Sequence, residues 1–72
     1  MRELFEIYSI NGPVVKVKDA SSLTIQEKVF VGERRLIGEV IANNDGNATI
    51  QVYEATTGLR AGDTVMRTGQ PM

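Results

Sequence analysis

Cysteine and histidine are both missing from the 72 residues. Without cysteine, neither a disulfide framework nor a thiolate metal site is open to the fold. Without histidine, the commonest general base and the commonest metal ligand are gone. An excess of charge is missing too, since eight basic and nine acidic residues spread along the chain give a formal net charge of −1. No basic face invites nucleic acid or anionic lipid, so neither nucleic-acid binding nor direct membrane contact is expected. No apolar run approaches membrane-spanning length, and the start Met1-Arg2-Glu3-Leu4-Phe5-Glu6 puts two carboxylates where a signal peptide needs an apolar stretch. These features point to a cytoplasmic location. A convincing helical period is absent as well. The expected unit is one domain over residues 1–72, and a chain this short buries only about 60% of its unfolded surface, so it should be marginal alone.

What the chain does contain is a series of short strands between glycine-bearing turns. Residues 4–10 are rich in β-branched and aromatic side chains, and Asn11-Gly12-Pro13 then makes a turn. Residues 14–18 place Val15 and Val17 on one face, the expected core face. A loop at 19–22 leads to a strand over 25–31, closed by Gly32-Glu33-Arg34-Arg35. Residues 36–42 put Leu36, Gly38, Val40 and Ala42 on one face, with Gly38 marking a bend or a close backbone approach. Asp45-Gly46 is the pair favoured in tight hairpins, and residues 48–54 return with the clearest alternation in the chain, which places Ile50 and Val52 in the core. A loop carrying Gly58 and Gly62 precedes a last strand at 64–68, in which Val65 is the core candidate. Thr-Gly-Gln-Pro at 68–71 reads as the start of a connector, because glycine weakens a strand and proline cannot donate to its ladder. Six short strands at this spacing predict an all-β fold, a small closed or partly open antiparallel barrel.

The search for catalytic or ligand-binding patterns gives mostly negatives. The tract at 43–47 imitates part of a calcium loop, but the positions of the first ligand and of the bidentate glutamate fall on the apolar Ile41 and Val52. Gly58 and Gly62 lack the lysine and hydroxyl that a phosphate-binding loop needs after its glycines. Glu33, Glu39, Glu54 and Asp63 are the carboxylates nearest to turns, and nothing in their spacing pairs them for acid/base work. Ser21 and Ser22 have no histidine to activate them. Phe5, Tyr8, Phe30 and Tyr53 lack the basic groove of a nucleic-acid stacking platform, so most of them are assigned to a core or a subunit contact. On this reading there are no catalytic, cofactor-binding or metal residues.

One resemblance covers nearly the whole chain. LIGEVIANNDGNATIQVYEATTGLRAGDTVMRTGQP, residues 36–71, resembles the N-terminal domain of the catalytic A subunit of V-type and archaeal A-type ATPases. That family carries a Gly-Glu-hydrophobic-Ile strand, an Ile-Gln-Val-Tyr-Glu strand, a Thr-x-Gly-Leu loop and a Thr-Gly-x-Pro ending. Ser-Ile-Asn-Gly-Pro-Val-Val at 9–15 and Phe-Val-Gly-Glu at 30–33 are similar to its earlier corners, whereas residues 18–26 match poorly. Tyr53-Glu54, Gly38-Glu39-Val40-Ile41 and Gly62-Asp63 favour the A subunit over the related B subunit.

The resemblance implies a β-barrel excised from a longer ATPase subunit, whose ATP- and magnesium-binding residues have no counterpart here. It also implies a structural role, in a crown of alternating A and B barrels above a cytoplasmic hexameric head that is peripheral to the membrane. Partners would be B-subunit barrels, and the piece alone would be monomeric or weakly self-associating. Gly12, Pro13, Gly32, Gly38, Gly58 and Gly62 would then shape turns rather than hold ligand. The interface residues are not specified. The alternative from another class is an independent small-barrel module that binds peptide or nucleic acid.

Overall fold

The computed structural model describes residues 4–72, so the charged start at 1–3 lies outside the described residues. Six strands form: β1 (Leu4–Asn11), β2 (Val14–Val17), β3 (Glu27–Val31), β4 (Leu36–Asn44), β5 (Asn47–Val52) and β6 (Thr64–Pro71). They close into an antiparallel barrel in the order β1-β2-β5-β4-β3-β6, with β6 returning to β1. Closure gives every strand two neighbours, which removes the unpaired edges of a small sheet.

Alternation decides what fills the interior. Phe5 and Ile7, Val15 and Val17, Val29 and Val31, Leu36 and Val40, Ala48, Ile50 and Val52, and Val65 all point inward and are buried. Ala20 and Leu23 from the 18–26 loop close one end, and Leu59 of the 53–63 loop packs against the core at the other. The first end, here the hairpin end, also carries the β4–β5 turn and the last residues of β6. The opposite, loop end collects the β1–β2 turn with Gly12 and Pro13, the β3–β4 turn with Gly32, and the long loop with Gly58 and Gly62.

Two glycines show what the backbone requires. Asp45 and Gly46 have φ of 54° and 89° and form the two-residue turn between the partners Asn44 and Asn47. Positive φ at both positions is the geometry that an Asp-Gly pair favours. Gly38 is not in a turn. It lies buried in the middle of β4, where a Cβ would stand 2.9 Å from Ile50 Cγ2 and 3.1 Å from the Gln51 carbonyl oxygen. The close approach, and not a bend, is what needs glycine there.

β5 ends at Val52 rather than at 54, some other limits shift by a residue or two, and three departures bear on the core and the sites. β3 starts at Glu27 and not at 25, because Gln26 has φ of 75° and breaks the extended run, leaving Ile25 exposed. In β4 the register shifts between Val40 and Ala42, so Ala42 pairs with Thr49 and leaves the core face, while Asn43 comes opposite buried Ala48. Asn43 then donates through its amide to the carbonyls of Ala20 and Leu23 at 2.8 and 2.9 Å, pinning the 18–26 loop to the hairpin. Third, β6 does not stop at Thr68 but runs on to Pro71. Gly69 takes φ of 74° in an irregularity of the β3–β6 ladder, and pairing resumes at Pro71 opposite Glu27. Proline, which cannot donate to the ladder, stands next to this irregularity at the end of the strand, and the following amide, of Met72, donates to the Gln26 carbonyl.

Candidate assembly surface and terminal clasp

Three of the four carboxylates near turns, Glu39, Glu54 and Asp63, accept hydrogen bonds from neighbouring groups. Glu39 accepts a 2.6 Å hydrogen bond from the Tyr53 hydroxyl. That bond, then desolvation and the Glu39 charge, raises the Tyr53 pKa above its ordinary value. Glu54 lies beyond the end of β5, and its carboxylate accepts the Ile37 N–H at 2.7 Å. The Tyr53 amide donates to the Ile37 carbonyl beside it, so these two residues cap the ladder. Asp63 accepts the Arg60 amide inside the long loop. Glu33 sits in the β3–β4 turn, exposed. The neighbouring Arg34 guanidinium donates to the Thr57 carbonyl at 2.6 Å and ties that turn to the long loop, while the Thr56 hydroxyl donates to the Gly12 carbonyl. Among the described residues no three His, Cys, Asp or Glu side chains are grouped to hold a metal ion.

The aromatic residues separate. Phe5 enters the core, whereas Tyr8 and Tyr53 are exposed and Phe30 is half-buried on the outside, so the core takes only one of the four rings. Tyr8 on β1 stacks under Lys18, with 5.3 Å from the ammonium to the ring centre, and Lys28 lies over Phe30 at the same distance. Tyr8 is on β1 and Tyr53 follows β5, with β2 between those strands.

Outward residues on neighbouring strands form one apolar row. Leu4 on β1 pairs with Met66 on β6, Met66 with Phe30 on β3, and Phe30 with Ile37 on β4. The row continues to Tyr53, whose amide bonds Ile37. Its two ends are the most open, Leu4 at 60% and Tyr53 at 55% exposure, while Met66, Phe30 and Ile37 are half-buried. The row runs over β1, β6, β3 and β4 to the end of β5, while the polar residues Ser9, Lys16, Thr49 and Gln51 face out from β1, β2 and β5 beside Val14. An apolar row on the outside of a barrel is a candidate contact surface for a partner.

Sequence reasoning missed a second feature, at the hairpin end. Glu27 is 3% exposed, and its carboxylate accepts four hydrogen bonds. Arg67 donates from Nε to Oε2 and from Nη2 to Oε1, both at 3.0 Å. The Gly69 amide donates to Oε2 at 2.8 Å and the Thr24 amide to Oε1 at 3.1 Å. Burial pushes the Glu27 carboxyl up, but the Arg67 guanidinium, the two amides and the Arg67 charge outweigh it and hold the group below the ordinary carboxylate value. A signal for it was present, since Glu27 shares its strand face with Val29 and Val31, and Arg67 shares its own with Val65. A carboxylate on an inward face demands a cation and donors.

The family model described as ATP synthase alpha/beta family, beta-barrel domain, matches residues 7–69. The chain belongs to this family. The catalytic A subunit of a V-type proton ATPase from Neurospora crassa is 51% identical to this ATP synthase alpha/beta barrel over 67 residues, 93% of the chain. The A subunit of an A-type ATP synthase from Pyrobaculum islandicum is also 51% identical over 67 residues, and a V-type ATP synthase alpha chain 2 from Clostridium tetani is 47% identical over 66. The barrel spans 11% of the length of each of these relatives. The match includes the 18–26 loop, and it covers every strand of the barrel except the first residues of β1 and the last of β6. No helix of the described residues is long and apolar enough to cross a membrane.

Proposed function

We propose that this barrel is a non-catalytic assembly module of a rotary V- or A-type ATPase catalytic subunit. It stands in a crown where A and B barrels alternate, and it holds the ring together while the rest of each subunit turns over ATP. The observation that carries this reading is the apolar row from Leu4 to Tyr53 on the outside of a closed barrel. On a closed barrel a neighbour is engaged chiefly through side chains, and the row is an apolar side-chain surface on the outside, distinct from the separately exposed Tyr8, Ile25 and Ile41. We assign it to the B-subunit barrel beside it. ATP and magnesium belong to other parts of the parent subunit, and the assembly is cytoplasmic and peripheral to its membrane.

Size bears on affinity. A stable interface takes roughly 800 Å² from each partner, a large share of the 4515 Å² that this chain exposes. One row of five side chains falls short of that, so contacts between isolated barrels should be weak, and the ring should draw on many of them at once. Light scattering over a concentration series is expected to show the chain monomeric or weakly self-associating. Adding the barrel of a V/A-type B subunit should produce mixed species that Ile37→Lys weakens. A tight hexamer of this chain alone, or no interaction with the B barrel at the highest attainable concentration, would overturn the assignment.

A further inference from the structure

The last five residues are held differently from the rest of the barrel. Among residues 68–72, Thr68 is half-buried, the other four are exposed, and none belongs to the core. The core contribution of β6 is Val65, near its start. Among the described residues β1 pairs with β6 at Thr64, Val65 and Met66, and the pairing of β6 beyond Arg67 is with β3. Even that ladder is interrupted, with the register shifted between Glu27 and Val29 and Gly69 in a left-handed conformation. What secures the segment is polar. The Thr68 hydroxyl donates to the Lys28 carbonyl at 2.6 Å, the Gly69 amide to the Glu27 carboxylate at 2.8 Å, and the Met72 amide to the Gln26 carbonyl at 2.8 Å. The same carboxylate takes both arms of the Arg67 fork and the Thr24 amide, so it joins the 18–26 loop, β3 and the terminal segment at one point.

We propose that residues 68–72 form a releasable arm, latched to a closed barrel by the Glu27 carboxylate and hinged at Arg67-Thr68. The arm opens as a unit while the barrel stays intact. Latched, it continues β6 rigidly; released, it turns the same residues into a flexible tether. The mechanical consequence rests on the reading that the barrel is one module of a longer subunit, because the latch then decides whether neighbouring parts move with the barrel or independently of it. The latch itself does not depend on that reading. Apolar burial cannot hold the arm down, since the arm adds no side chain to the core. The hydrogen bond from the Gly69 amide to the ionised Glu27 carboxylate, which Arg67 and the Thr24 amide hold in place, is the charge-assisted contact that the arm makes.

Native-state hydrogen exchange followed by NMR on the 72-residue chain tests the proposal. In the unmodified chain the Gly69 and Met72 amides are expected to exchange through a local opening insensitive to low denaturant. The Val52 amide, bonded to the Pro13 carbonyl, and the Ile7 amide, bonded to that of Asp63, should exchange only through denaturant-sensitive opening of the barrel. Glu27→Gln keeps the shape and removes the charge. It is expected to speed Gly69 and Met72 by about tenfold or more, the scale of a lost charged hydrogen bond, with Val52 and Ile7 unchanged relative to each other. Exchange of Gly69 and Met72 only together with Val52 and Ile7 in the unmodified chain would overturn the proposal, as would a folded Glu27→Gln chain with unchanged arm amides. Failure of the assembly reading would appear in the mixing experiment and leave these exchange rates untouched.

Discussion

Glu27 brings together most of the polar constraint in this fold, and its charge state has a calculable direction. Its folded pKa lies below the ordinary carboxylate value because donors and the Arg67 guanidinium favour the ionised form more than burial opposes it. A group with a depressed folded pKa contributes stability that is fully present above its unfolded pKa and is lost as pH falls through the folded value. Thermal melts followed by circular dichroism should therefore show this contribution intact at neutral pH and fading on acidification below the carboxylate range. Glu27→Gln should lower the melt at neutral pH and flatten the acid slope. The same slope in the variant would mean that other carboxylates drive the acid response. Deleting one partner of a buried ion pair commonly costs about 3–5 kcal/mol, and the partial exposure of Arg67, 25% for its side chain, places this pair toward the low end or below it. The residue's inward position was readable from the Glu27-x-Val29-x-Val31 spacing. Its partner was not, because Arg67 reaches it only through the pairing of β3 with β6, and no local pattern specifies that pairing.

Among the elements, the β4–β5 hairpin is the most fully written in the local sequence. Asp45-Gly46 supplies both positive φ angles, and the alternation of Ala48, Ile50 and Val52 gives the return strand its buried face. Gly46→Val puts a β-branched side chain at φ of 89° and is expected to destabilise by roughly 1–3 kcal/mol. That is a clear fall in melting temperature, and an unchanged melt would contradict the turn geometry. Other elements were less legible, for a consistent physical reason. The irregularities near Tyr8, at Ile41 and around Gly69 each change which side chains face inward, and each is fixed by the partner strand rather than by the residues themselves. Thus Ala42 leaves the core face and Asn43 turns to the 18–26 loop, although the unbroken alternation suggested otherwise. The all-β class and six strands could be read from turns and alternation. The apolar row could not, since its members adjoin only once the strand order is known.

For the molecule as a whole, the interior is occupied by valine, isoleucine and other apolar side chains, and both ends are closed by loops. The 72-residue chain is accordingly expected to leave magnesium-ATP unbound, and calorimetric titration giving saturable heat would contradict the assembly reading. The strand order carries a different consequence, for how the chain reaches this state. The β1–β2, β3–β4 and β4–β5 ladders join neighbours in sequence, whereas closure through Leu4 and Met66 joins residues nearly the whole chain apart. Distant pairings demand their loop-closure entropy before they return any contact, which makes such topologies slow to fold and places the seam late in the process. On a ribosome that seam cannot form until β6 has emerged. Until then β1 and β3 each present an open ladder, and the nascent barrel passes through a period in which it is a template for the wrong strand.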